Sequence, residues 1–315
     1  MWRKCRSIDM RWLKLSILLA LLPSTTALAH VDAPPAPHDL WSAWTLDPFV
    51  TLSLAFVAVL YSIGLSRQWR RAGTGRGPKR WQAATFLGGM LALVLALVWP
   101  LDALGEALFT AHMAQHVLLV AVVPPLMVVG APMAPLMRGL PAAWRRRLVG
   151  WGRQGWWRAA WRRLSAPGAA ALLHGIALWA WHAPAAFQAA LANEAVHIAE
   201  HASFLFTGLL FWWAIVRSGR VPELGFGVGI LWMLVTVIHS GLLGALITFA
   251  PMPLYPAYAN RAAAWGLTLL EDQQLAGLVM WVPGGMIYLV AGVALMAAWL
   301  KALERRAQRA PGLLR

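Results

Sequence analysis

Two short stretches of this chain carry residues that could do chemistry: "HMAQH" at residues 112–116 and "HIAEH" at residues 197–201. Each sets two histidines four residues apart, His112 with His116 and His197 with His201. On a helix, residues i and i+4 lie on one face, one turn apart. Two neutral imidazoles so placed can reach one cation, with carboxylate or amide groups behind them fixing the rings. His182 in "LWAWHAPAAF", His239 in "TVIHSGLLG" and Asp272 in "EDQQ" are further candidate ligands, as is Glu200 inside the second pair. His174 reads as a structural hydrogen-bonder, and Met252 in "APMPLYP" as packing.

The donor set limits the metal. The single cysteine, Cys5, lies in a segment read below as removable. Without thiolate, imidazole-rich sites favour copper or zinc. Haem is a further alternative, though it needs one axial histidine from each of two facing helices, and no cysteine is placed for covalent attachment. "HIAEH" also fits the H-x-x-E-H pattern of a zinc hydrolase with Glu200 as general base. The parallel "HMAQH" carries Gln115 where that base would stand, so Glu200 reads better as a hydrogen-bond partner of a ligand histidine or as a ligand itself. The competing non-metal reading is a structural or proton-handling network of buried histidines.

These residues need elements to hold them. The chain is 60% hydrophobic and 12% charged, against roughly a quarter charged in an ordinary soluble domain. The surplus apolar surface must face lipid. The expected fold class is all-α, a polytopic membrane helical bundle. Seven apolar runs are long enough to span, at about 48–66, 82–100, 110–131, 167–190, 197–216, 224–249 and 275–299. Basic residues crowd the 67–80 and 138–163 loops, the end of the fifth run and the C-terminal tail, whereas the opposite loops after residue 30 hold only Arg261. This asymmetry predicts an outside N-terminus and a cytoplasmic C-terminus. It also puts His112, His116, His182, His197, His201, His239 and Asp272 in the outer third of the bundle.

The domain reading is a signal peptide over 1–29, a short periplasmic segment over 30–47, the membrane domain over 48–300 and a basic cytoplasmic tail over 301–315. Basic residues, the run "LSILLALL" and "ALA" at 27–29 carry the signal-peptide reading. Cleavage there would leave His30 first, offering two nitrogens to copper(II) with His38 and Asp32 near; an inert disordered leader is the favoured alternative. The stretch "PAAWRRRLVGWGRQGWWRAAWRRL" mixes Trp with Arg and reads as an interfacial segment on membrane lipids, with no nucleic-acid partner required.

At these positions the chain resembles a known family. "HMAQHVLLVAVVPPLMVVGAP", "LWAWHAPAAFQAAL", "VHIAEHASFLFTGLLFWWAIV" and "DQQLAGLVMWVPGG" together resemble the CtaG family of multi-span cytochrome c oxidase assembly factors, over about Trp41 to Leu300. This is not the single-span copper chaperone that shares the name. The resemblance implies a non-enzymatic inner-membrane protein that assembles caa-type haem–copper oxidase, acting in maturation of its copper centre. Its partners would be oxidase subunits, with a periplasmic copper chaperone as a second candidate. His112, His116, His182, His197, His201 and Asp272 fall within the family-like motifs; His239 is added from depth alone.

Overall fold

The computed structural model describes residues 34–218 and 225–309. The expected signal peptide, with His30 and Asp32, lies outside them, as do residues 310–315. Every long element among the described residues is a helix. Helix α1 is Pro48–Ala72, α2 Arg80–Leu97 and α3 the short Leu101–Ala107; α4 runs over Phe109–Val129. Three short helices follow, α5 Met133–Gly139, α6 Ala142–Gly152 and α7 Gly155–Leu164. Then come α8 Pro167–Trp181, α9 Pro184–Ala192, α10 Glu194–Ser218 and α11 Gly225–Thr248. The last, α12, starts at Leu269–Val279 and continues through Met280–Gly284 into Gly285–Arg309.

Six of these helices or composite helices are long and apolar enough to cross a membrane. A seventh crossing exists if α7 and α8, which meet at 67°, count as one. The expected single run over 167–190 is broken because Pro184 follows Ala183. A residue before proline is pushed out of the helical region, and Ala183 is extended, at φ −64° and ψ 129°. His182 therefore ends a helix rather than sitting within one. Large apolar side chains such as Phe56, Phe206, Ile238 and Val290 point outward and are exposed, as lipid-facing surface requires.

Helices α4 and α10 pack together at the centre, with α2, α8 and α12 around them. Their register is set by a local defect. Pro124 and Pro125 have no N–H, so the carbonyl four residues before Pro124, at Val120, loses its helical partner. The helix widens into a π-turn over Leu118–Val122. Trp212 Nε1 on α10 donates to the freed Val120 carbonyl at 3.0 Å. One turn nearer the start of α10, Gly208 touches the same defect: a Cβ there would come within 2.9 Å of Pro124 Cγ. Only glycine allows that approach, and it brings the start of α10 level with the start of α4. Both histidine pairs open these two helices.

Candidate metal centre

Five imidazoles and one carboxylate converge between α4, α10 and the end of α8. His112 and His116 come from α4, His197, Glu200 and His201 from α10, and His182 from the C-terminus of α8. Ring centroids of His112 and His116 are 4.4 Å apart, and those of His197 and His201 4.1 Å. Between helices, His116 lies 5.5 Å from His201 and 5.6 Å from His182, and His112 5.3 Å from His197. Ligand atoms of His112, His116, Glu200 and His201 all lie within 4.8 Å of one another. These four residues and His182 are buried, with Glu200 at 0% exposure; His197 is half-buried at the rim.

The carboxylate stands 3.6 Å from His116 Nε2 through Oε1 and 4.0 Å from His112 Nε2 through Oε2. Both separations are too long for hydrogen bonds. Two ligands of one tetrahedral ion, each about 2.0–2.2 Å from it, stand roughly 3.4 Å apart. The observed spacings are of that order, and a small contraction would bring all four residues onto one ion.

The unpartnered atoms make the same point more strongly. The Nε2 atoms of His112, His182, His197 and His201, both nitrogens of His116 and both oxygens of Glu200 are buried without a hydrogen-bond partner among the described residues. A buried unsatisfied polar group costs about 1–3 kcal/mol, and a fold is stable by only about 5–15 kcal/mol. One ligand atom from each of His112, His116, Glu200 and His201 lies within 4.8 Å of the others, an arrangement that a single cation could share. Among the described residues, no lysine or arginine pairs with Glu200, so an ionised carboxylate here would need the ion as its counter-charge.

Residues behind the cluster fix which nitrogen faces inward. His182 Nδ1 lies 2.6 Å from the Leu178 carbonyl and must donate to it, leaving the Nε2 lone pair toward the cluster. Tyr258 donates its hydroxyl proton to the Gly105 carbonyl at 2.7 Å and lies 3.1 Å from His112 Nδ1. With its proton committed, that hydroxyl accepts from Nδ1–H, again leaving Nε2 free. Tyr255 donates to the His182 carbonyl at 2.7 Å, anchoring the break before Pro184. Burial pushes both phenols up from their ordinary value, so each keeps the proton it donates. Gln115 turns away from the cluster and donates to the Ala96 carbonyl and the Asp102 carboxylate, both at 2.8 Å.

Two candidate ligands stand apart from this group. Asp272 accepts from the Phe109 N–H at 2.7 Å, the Thr110 N–H at 3.0 Å and the Thr110 hydroxyl at 2.7 Å. It caps the N-terminus of α4, where a negative charge meets unpaired backbone donors and the positive end of the helix dipole. It holds the helix that holds His112 and His116, and its oxygens are already engaged. His239 faces Gly175 of α8, where a Cβ would lie 3.4 Å from its Nε2, beside His174 rather than in the cluster. His174 has a partner on both nitrogens, Thr207 at 3.4 Å and Tyr288 at 3.1 Å, as a structural histidine should. Met252 is exposed and offers only its carbonyl, to Gln273.

Asp272→Ala is expected to lower the thermal stability of the protein, because losing a cap costs about 0.5–2 kcal/mol and one buried and one part-buried N–H group lose their acceptor. Asp272→Asn should do less harm. Melting curves of the metal-free proteins check the order; equal melting temperatures for wild type and Asp272→Ala would contradict the capping role.

The profile described as cytochrome c oxidase caa3 assembly factor (Caa3_CtaG) matches residues 59–302. Similar curated proteins are uncharacterized proteins of Mycobacterium bovis, Mycobacterium tuberculosis and Mycobacterium leprae. Each is 26% identical over 287 residues, covering 89% of this chain and 43% of the relative. The chain thus spans less than half the length of those relatives. No solved structure matches it.

Proposed function

Since the chain belongs to the family of cytochrome c oxidase caa3 assembly factors, we propose that it serves the maturation of the oxidase copper centre by holding copper in the cluster of His112, His116, His182, His197, Glu200 and His201. The observation that carries this reading is a set of buried nitrogen and carboxylate atoms without partners among the described residues, with ligand atoms of His112, His116, Glu200 and His201 within 4.8 Å of one another. Nitrogen-rich donor sets bind copper(II) ahead of other divalent first-row ions. Haem is disfavoured because the rings stand 4.1–6.0 Å apart on several sides, and a macrocycle placed between two of them would run through the others.

In this reading the protein is a carrier and not an enzyme. The bound ion would be the cargo; the chain's own residues bind it, orient the imidazoles and shield them from water. Tyr258 and the Leu178 carbonyl keep Nε2 of His112 and His182 deprotonated, and Glu200 supplies negative charge. Glu200→Gln separates this from a metallohydrolase. A carrier loses copper affinity with no hydrolytic activity at stake, whereas a hydrolase would lose turnover on a peptide substrate and keep its metal.

The proposed setting is the bacterial inner membrane, crossed seven times, with α8 carrying the fourth crossing. The N-terminus lies outside and the metal cluster near the periplasmic face, where oxidase subunits and a periplasmic copper chaperone would meet it. In a Cys5→Ser background, Ala259→Cys should react with a membrane-impermeant thiol reagent on intact inner-membrane spheroplasts and Thr74→Cys should not. The opposite labelling pattern would reverse the orientation.

A further inference from the structure

Helices α6 and α7 bury none of their residues. A Cβ built on Gly150, Gly152 or Gly155 meets nothing within 4 Å, so this hairpin stands clear of the bundle. Its sequence is nevertheless strongly ordered. On α6, Trp144, Leu148 and Trp151 recur at i, i+4 and i+7; on α7, Trp157, Trp161 and Leu164 repeat the same spacing. That spacing gathers each trio into one stripe. All six side chains are exposed, between 40% and 69%. Arg146 on α6 and Arg162 on α7 point away from the stripes by the same helical arithmetic, and Arg158 flanks the second stripe.

Seven arginines lie between residues 145 and 163, and no acidic residue occurs anywhere between Glu106 and Glu194. Among the described residues none of these arginines is in an ion pair. The hairpin is tied at both ends to the membrane domain, and α7 turns by 67° before entering α8. If α8 crosses the bilayer, α7 lies nearer to the bilayer plane than to its normal. We infer that α6 and α7 form an in-plane clamp at the arginine-rich end of the bundle, with the two tryptophan stripes sunk among the acyl chains and the arginines binding the headgroups of anionic phospholipids. The charge of the segment selects the headgroup: seven guanidinium groups without ion-pair partners among the described residues need anions, and a bilayer supplies them at the depth where tryptophan rings settle.

The test uses full-length protein in a Cys5→Ser background, carrying one nitroxide-labelled cysteine at a time. Leu148→Cys and Trp161→Cys report on the stripes, Arg146→Cys and Arg162→Cys on the opposite faces. In vesicles of equal phosphatidylglycerol and phosphatidylcholine, the ratio of oxygen to water-soluble nickel-complex accessibility should be about threefold or more higher at 148 and 161 than at 146 and 162. Spin-labelled phosphatidylglycerol should be retained about threefold or more over phosphatidylcholine; the preference should vanish when Arg145, Arg146, Arg158 and Arg162 are all changed to Gln and return with Lys. Equal water access at all four positions overturns the in-plane clamp. A missing headgroup preference, or one that survives the Gln changes, overturns the lipid assignment. Dipolar broadening between chains at 148 or 161 would give the stripes to a second copy and also overturn it.

Discussion

Alanine at His116 should cut copper affinity by about a hundredfold or more, the upper end of what loss of a mere supporting residue costs a metal site. His116 is the hub of the cluster. It neighbours His112, His182 and His201 and stands 3.6 Å from Glu200. Neither of its buried nitrogens has a hydrogen-bond partner among the described residues. That last fact gives the prediction a second sign. A histidine held for structure would take stability with it when removed. Here the substitution deletes two unsatisfied polar atoms, so His116→Leu, which refills the volume, should leave the metal-free protein as stable as wild type or more so. Competition titration with a copper chelator and melting of the metal-free protein measure the two effects. Loss of stability with unchanged copper affinity would assign His116 to the fold.

Tyr258→Phe should move both quantities the same way. It removes the hydroxyl that donates to the Gly105 carbonyl and faces His112 Nδ1. Two buried groups then lose a partner, at about 1–3 kcal/mol each before relaxation. His112 also loses the contact that fixes its tautomer, and metal affinity should fall about 10- to 100-fold, the usual effect of removing such a support. The two variants thus differ in kind. His116→Leu separates binding from stability, and Tyr258→Phe couples them. A Tyr258→Phe protein that melts early yet binds copper normally would show that the phenol serves the loop alone.

The paired histidines were legible because a helix has one simple rule: residues four apart share a face. Their meeting across helices was legible in height only. Hydropathy and the arginine asymmetry set how far along the bundle a residue sits, but not which way it points around its helix. His182 and His239 illustrate the gap. Hydropathy places both at the same depth, yet His182 faces the cluster and His239 faces Gly175. Asp272 was found as a polar residue in the right place, but a carboxylate that caps a neighbouring helix looks the same in sequence as one that binds a metal. Tyr255 and Tyr258 carry no signal in the sequence. They lie in an irregular loop with no periodicity, and their role comes from contacts with residues 73 and 146 positions away. The break at His182 was readable from Pro184 and was hidden by an uninterrupted apolar run. The π-turn of α4 had its signal in Pro124 and Pro125, though the partner that rescues the freed carbonyl, Trp212, is 92 residues distant.

The most direct test is the metal content of purified full-length protein after loading with copper and exhaustive dialysis, compared with a His112→Ala, His116→Ala, His201→Ala variant that accumulates in the membrane to the same level. Wild type should retain about one copper per chain, as one ion shared by these ligands requires, and the variant essentially none. Wild type that retains no copper, or a variant that retains as much as wild type, would contradict a copper site built from the paired histidines.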